Sequence, residues 1–201
     1  GTFVYRGGTR GTFSSLVCPD RNGTGIQVIR DRELFNDFAL SHDGKRLAYT
    51  VNSAADPWRT WVVPTLRGRP SRWLQNASGL TWIGGASLLF SEIRSGSVDH
   101  MGLVTASESR TESRTVYFPE RDDGMAHRSA LSPGGTSVLL VEMNAGGWIP
   151  CRLVPLAGDS AGKVVGPPDA RCTGAAWSPD GETMYFSADR GDGFHLWRQP
   201  F

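Results

Sequence analysis

One turn recurs along this chain at near-regular distance, each copy set between short apolar stretches, and it constrains the fold more than any other feature. Ser41-His42-Asp43-Gly44 separates Ala39-Leu40 from Leu47-Ala48-Tyr49, Ser132-Pro133-Gly134-Gly135 separates Ala130-Leu131 from Val138-Leu139-Leu140, and Ser178-Pro179-Asp180-Gly181 separates Ala176-Trp177 from Met184-Tyr185-Phe186. A degenerate copy, Trp82-Ile83-Gly84-Gly85, precedes Leu88-Leu89-Phe90. Aligned on their last glycines, the copies lie 41, 50 and 46 residues apart. The residue types follow from the turn itself. Proline presets φ near −65°, Asp or Gly follows in a bridge or left-handed conformation, and the closing Gly accepts positive φ without a Cβ clash.

The stretches after each turn are short and rich in β-branched and aromatic residues, so they read as strands. A strand-turn-strand unit repeated every 40 to 50 residues or so is the pattern of propeller blades. Composition agrees. The 201 residues include 25 Gly and 12 Pro, and 39% are hydrophobic, which suits an all-β domain of many short strands.

The full unit at the last copy consists of Ser178-Pro179-Asp180-Gly181, an apolar strand, the polar loop Ser187-Ala188-Asp189-Arg190-Gly191-Asp192-Gly193, and Phe194-His195-Leu196-Trp197. It resembles the TolB-type, WD-like propeller repeat, which also occurs in the propellers of prolyl oligopeptidases and in bacterial sensor proteins. The resemblance covers nearly the whole chain. His42 replaces Pro in one copy, Gly134 replaces Asp in another, and Trp82-Ile83-Gly84 loses the motif.

The blade template divides residues 1–201, read as a single partial propeller of four-stranded antiparallel blades, into a partial blade at about 1–30, full blades at 34–75, 79–118 and 125–165, and a partial blade at 172–201. That makes about four and a half blades and 18 strands. The opening blade, beginning at Thr2-Phe3-Val4-Tyr5, lacks a first strand, and the last blade lacks a fourth. Joining them would place six strands where four fit. Propellers of this resemblance carry six to eight blades, so the chain is expected to be a fragment whose open edges favour self-association.

Charge names no partner. Basic residues number 21 and acidic 20, the seven Trp are spread over the blades, and neither nucleic-acid binding nor attraction to an anionic membrane is expected. No apolar run approaches the roughly 18 residues of a membrane span, and the opening residues are not expected to act as a signal segment. Gly-x-x-x-x-Gly-Lys and Gly-x-Gly-x-x-Gly loops are missing, and no cofactor is expected.

Several motifs suggest chemistry. Gly158-Asp159-Ser160-Ala161-Gly162 matches the nucleophile elbow of serine hydrolases, but that elbow requires a strand before it and a helix after it. Here it separates two strand-like stretches, so a hairpin is expected and Ser160 is not read as a nucleophile. His42, His100, His127 and His195 lack metal-ligand spacing, and no metal site is expected. His42 reads as the substituted proline of its turn, and His195 as facing away from Phe194 and Leu196. Of the three cysteines, Cys151 and Cys172 fall in neighbouring strands of adjacent blades, where a disulfide is conceivable; the favoured reading is that all three, with Cys18, are buried small hydrophobes. The sequons at Asn22 and Asn76 matter only in a eukaryotic secretory setting, and Arg190-Gly191-Asp192 reads as an ordinary polar loop.

With no catalytic residue expected, function is assigned to loops. In four-stranded blades the connections from strand two to three and from strand four to the next strand one open on one face. That face would collect Glu92, Arg94, Asp99, His100, His127, Arg128, Glu142, Asn144, Asp189 and Arg190 as a binding rim. The stretch from Met125 to Pro168 resembles propellers attached to bacterial membrane-anchored serine/threonine kinases and winged-helix regulators, which implies a sensor or scaffold outside the cytoplasmic membrane. No kinase motif is present. The expectation is a non-catalytic module binding a protein, peptide or small ligand. The alternative is the gating propeller of a prolyl-oligopeptidase-like hydrolase whose catalytic domain lies elsewhere.

Overall fold

The computed structural model describes residues 5–7, 13–19, 22–23, 26–53, 58–64, 68–94, 100–107 and 112–201. It divides into two compact units, Gly1–Ser78 and Gly79–Phe201. Every regular element among the described residues is a strand.

The first unit holds β1 (Tyr5–Gly7), β2 (Ser14–Pro19) and β3 (Ile26–Glu33) in one antiparallel sheet, and β4 (Phe35–Leu40), β5 (Arg46–Val51), β6 (Arg59–Pro64) and β7 (Ser71–Gln75) in a four-stranded one. Thr2, Phe3 and Val4 of the expected opening strand lie outside the described residues. Leu16, Phe35, Leu47, Tyr49, Val51 and Val63 form this unit's core.

The second unit takes in β8 (Ala77–Ile83) from Gly79 onward, then β9 (Ser87–Arg94), β10 (His100–Ser107) and β11 (Ser113–Tyr117). Next come β12 (Gly124–Leu131), β13 (Ser137–Asn144), β14 (Gly147–Trp148), β15 (Arg152–Pro155) and β16 (Lys163–Val164), and then β17 (Arg171–Trp177), β18 (Thr183–Asp189) and β19 (Phe194–Pro200). Against the expected 18 strands the described residues form 19, with β14 a short extra hairpin arm on β13. One parallel bridge, Met101 opposite Met125, joins the sheets of β8–β11 and β12–β16 into a nine-stranded network, while β17–β19 stand as three.

The repeated turns explain this regularity. In each, the glycine N–H donates to the serine carbonyl three residues back, at 2.8 Å for Gly44, 2.9 Å for Gly135 and 3.0 Å for Gly181, with φ of +69°, +69° and +78°. Where Asp is present it completes a second ring. Ser41 Oγ donates to Asp43 at 2.7 Å and accepts the Arg46 N–H at 2.9 Å, and Asp43 accepts the Lys45 N–H at 3.1 Å. Ser178 and Asp180 do the same toward Glu182 and Thr183. These bonds, from the serine hydroxyl first, hold both aspartates below the usual carboxylate range. Gly134 cannot form this ring, and Ser132 alone receives the Thr136 and Ser137 N–H groups. The degenerate copy is a shortened turn in which Gly84 rather than Gly85 takes the left-handed conformation, at φ +55°.

In the second unit β13 is buried on both faces, because the sheets before and after it cover it from either side. Thus Leu89 meets Val138 and Leu140 in one cluster, and Leu139 and Val141 meet Met184, Phe186 and Ala188 in another. The latter contains a correction: Cys151 and Cys172 are not free thiols but a disulfide, with Cα atoms 5.6 Å apart. Cys18 is free.

Candidate functional site

The described rim candidates lie in the second unit, at the end of the sheets opposite the repeated turns. Arg94 pairs across the ladder with His100, Gly124 with Asn144, and Arg171 with Asp189. The Met101–Met125 bridge draws the first two of these strand ends together, and the Cys172 N–H donates to the Ile149 carbonyl at 3.2 Å, drawing in the third. Asp99 lies outside the described residues.

At one side Phe118 forms the floor. Its ring lies flat against Gly102, where a Cβ would meet ring carbons at 2.3 Å, so the glycine admits the ring. Above it the Arg94 guanidinium sits 3.8 Å from the ring centroid and donates to Glu92 at 2.9 Å. His100 meets the same ring edge-on at 5.2 Å, with its Nε2 3.1 Å from the Pro119 carbonyl oxygen. Glu92, Arg94 and His100 are therefore one cluster around an aromatic face that the sequence reading missed.

In the middle, a bulge in β12 falls between Ala126 and Arg128, so His127 drops out of the ladder and is re-aimed. Its ring lies 5.4 Å from that of Trp148, and Arg128 is exposed beside it. Asn144 is half-buried before the β13–β14 turn, in which Ala145 has φ +47°.

Two of the expected rim acids belong to the wall instead. Glu142 is 2% exposed. It accepts the Tyr117 hydroxyl proton at 2.7 Å and the Arg152 Nε–H at 2.8 Å. Burial, and then the bond to Glu142, push the Tyr117 phenol well above its usual range. Burial pulls Arg152 down, but Glu142 outweighs it and leaves the guanidinium more firmly charged. Asp189 is 5% exposed and accepts the N–H groups of Gly191 at 2.6 Å and Gly193 at 3.0 Å, together with the Arg171 guanidinium. The Gly191 bond is foremost among the causes holding its carboxylate low. Asp189 thus shapes the β18–β19 loop and leaves Arg190 and Asp192 outward, Asp192 3.6 Å from His195. His195 and its neighbours Phe194 and Leu196 are all exposed.

Gly158–Gly162 connects the antiparallel strands β15 and β16, whose register pairs Arg152 with Val164 and Leu153 with Lys163. Gly158 and Gly162 take φ of +73° and +70°, and Ser160 Oγ accepts the Gly162 N–H at 3.0 Å. No helix follows it, so the strand-to-helix geometry of a nucleophile elbow is missing here. Among the described residues no group of three or more His, Cys, Asp or Glu could hold a metal ion, and no helix is long and apolar enough to cross a membrane.

No family model matches the chain, and no curated protein matches it significantly in sequence. Solved structures do. TolB from Acinetobacter baumannii superposes with a TM-score of 0.75 at 14% identity, over 99% of this chain and 49% of that one. A chain of a nidogen/laminin complex gives 0.64 at 14% identity, over 87% and 64%. A prolyl endopeptidase gives 0.65 at 18% identity, over 92% of this chain and 31% of that one. This chain therefore spans about half the length of the TolB it matches. At such identities the likeness is one of fold, and it agrees with the sheets described above: the chain folds as the antiparallel blades of a TolB-like β-propeller.

Proposed function

We propose that this chain is a non-catalytic binding module, the sensor or scaffold part of a larger bacterial signalling protein, and that it recognises a protein or peptide on the loop end of its second unit. What supports the reading is that Arg94, His100, His127, Arg128, Asn144 and Arg190 come to the same end of adjoining sheets. Beneath them Glu142 and Asp189 are fully engaged and serve as scaffold. Arg94 is held over Phe118 by Glu92, and Asp189 orders the loop that carries Arg190, so these groups are pre-organised, which lowers the ordering cost of binding. The nidogen/laminin chain is a propeller-like neighbour found in a protein complex, in keeping with this reading. The rival reading, a gating propeller of a peptidase, draws on the fold shared with the prolyl endopeptidase.

Site-specific photo-crosslinking separates these ideas. A benzophenone side chain at Arg128 or Arg190 should give adducts with a partner, whereas the same probe at Gly134 or Asp180, in turns at the far end, should not. Adducts from the turn positions alone would move the interface to the other end. Co-purification with a hydrolase domain whose activity changes on binding would favour the gating role.

A further inference from the structure

Six residues after the aligned turn glycines Gly44, Gly85, Gly135 and Gly181 stand Thr50, Ser91, Val141 and Ser187. The first two are fully buried hydroxyls that make the same bond. Within the first unit Thr50 Oγ1 donates to the Ala77 carbonyl at 3.2 Å. Within the second, Ser91 Oγ donates to the Ala126 carbonyl at 2.5 Å. Ala126 lies near the start of β12, so within the second unit this bond fastens β9 to the strand that begins the following blade. Ala126 precedes its turn glycine by nine residues, and the residue at that distance in the next blade is Cys172. There the donor position holds Val141, which has no hydroxyl. In its place Cys172 is bonded to Cys151, and Val141, Cys151 and Cys172 share one buried cluster. Ser187, the last of the four, accepts instead from Thr173 of its own blade at 3.4 Å.

We propose that the Cys151–Cys172 disulfide replaces the hydroxyl–carbonyl fastening at the seam between the β12–β16 and β17–β19 blades, and thereby makes this seam, unlike the Ser91 seam, sensitive to redox state. Both sulfurs belong to residues only 1% and 2% exposed, so a thiolate reaches them only after the seam opens. A dithiol reductant then attacks one sulfur, the S–S bond breaks, and the reductant's second thiol displaces the first cysteine. The reductant leaves as a disulfide, and Cys151 and Cys172 gain its two electrons and two protons as thiols. An oxidising compartment keeps the seam closed, and a thiol-reducing one weakens it.

The test is urea unfolding of the full chain, oxidised and after reduction with dithiothreitol, in the parent, in C151A/C172A and in V141T/C151A/C172A. Closing a loop between cysteines 21 residues apart is worth a few-hundred-fold in the folding equilibrium, so reduction should lower the parent's by about that factor and leave both variants unchanged. C151A/C172A places an alanine where Ala126 stands in the preceding seam, and adding V141T should recover about fivefold, the worth of one hydrogen bond. V141T alone in the oxidised parent should bring no such gain. Three titratable thiols in the denatured, unreduced chain, or an equal effect of V141T in the oxidised parent and in C151A/C172A, would overturn the proposal. Should C151A/C172A fail to fold, V141T in the reduced parent gives the same comparison.

Discussion

Replacing Glu142 by glutamine should destabilise the second unit more than any single polar change among the rim residues above it. The substitution keeps the side chain's size and an acceptor for the Tyr117 hydroxyl, but removes the charge facing Arg152 at 2.8 Å. Breaking a buried ion pair by deleting one partner costs about 3–5 kcal/mol, because the remaining charge is left desolvated. Arg152 keeps 23% of its side chain exposed, and water can partly solvate it, so the lower end, about 3 kcal/mol, is expected. Tyr117→Phe removes one hydrogen bond to a carboxylate and should cost about 1.5–3 kcal/mol. Because the two residues share a carboxylate, their double variant should depart from additivity by at least ~0.5 kcal/mol. Replacing all three by apolar residues, Tyr117→Phe with Glu142→Leu and Arg152→Met, should come close to neutral, since no charge is then stranded. Urea unfolding followed by tryptophan fluorescence reads these differences as midpoint shifts at constant slope. A loss below about 1 kcal/mol for Glu142→Gln would refute the reasoning, because a carboxylate in that position would then carry no structural charge pair.

Alkaline stability follows from two phenols. Burial pushes Tyr49 up to about 12 and Tyr117 higher still, so the folded chain holds protons that the unfolded chain gives up near pH 10. Stability should be flat below that pH and fall above it by up to about 1.4 kcal/mol per pH unit per tyrosine, with Tyr49→Phe flattening the profile. Gly102→Ala should lift the Phe118 ring at a cost of about 1–3 kcal/mol, and Phe118→Leu in the same chain should recover part of it; equal melting of parent and Gly102→Ala would contradict the packing. A fluorophosphonate probe should leave Ser160 unlabelled, since its hydroxyl sits in a hairpin loop, accepting the Gly162 N–H, without the strand-to-helix elbow of a serine nucleophile, and labelling abolished by Ser160→Ala would reverse that conclusion.

The repeated turns made the blades legible, because Ser-x-Asp-Gly encodes its own hydrogen-bond rings and the flanking strands must pair. What stayed hidden depended on register between distant strands. Glu142 sits beside the polar Asn144 at the end of an apolar run, and only the pairing of β13 with β15 and the approach of β11 show that its carboxylate lies between Arg152 and Tyr117. Cys151 and Cys172 could be assigned to neighbouring strands, yet their distance depends on how two blades pack, which no local pattern reports. The Phe118 floor rests on the absence of a side chain at Gly102, and a strand glycine alone does not say which ring will fill the space. Asp189 read as a rim charge because its neighbours are polar, but its two acceptor bonds to Gly191 and Gly193 turn it inward.

Hydrogen–deuterium exchange of the chain, alone and with a peptide selected from a random display library for binding to it, tests the placement of the binding surface most directly. Slowed exchange is expected only at the loop end of the second unit, at Arg94, His100 to Met101, Met125 to Arg128, Asn144 to Trp148 and Asp189 to Gly193, with that protection lost in R128E/R190E and unfolding unchanged. Protection centred on the turns at Ser132 to Gly135 and Ser178 to Gly181, surviving in R128E/R190E, would contradict that placement.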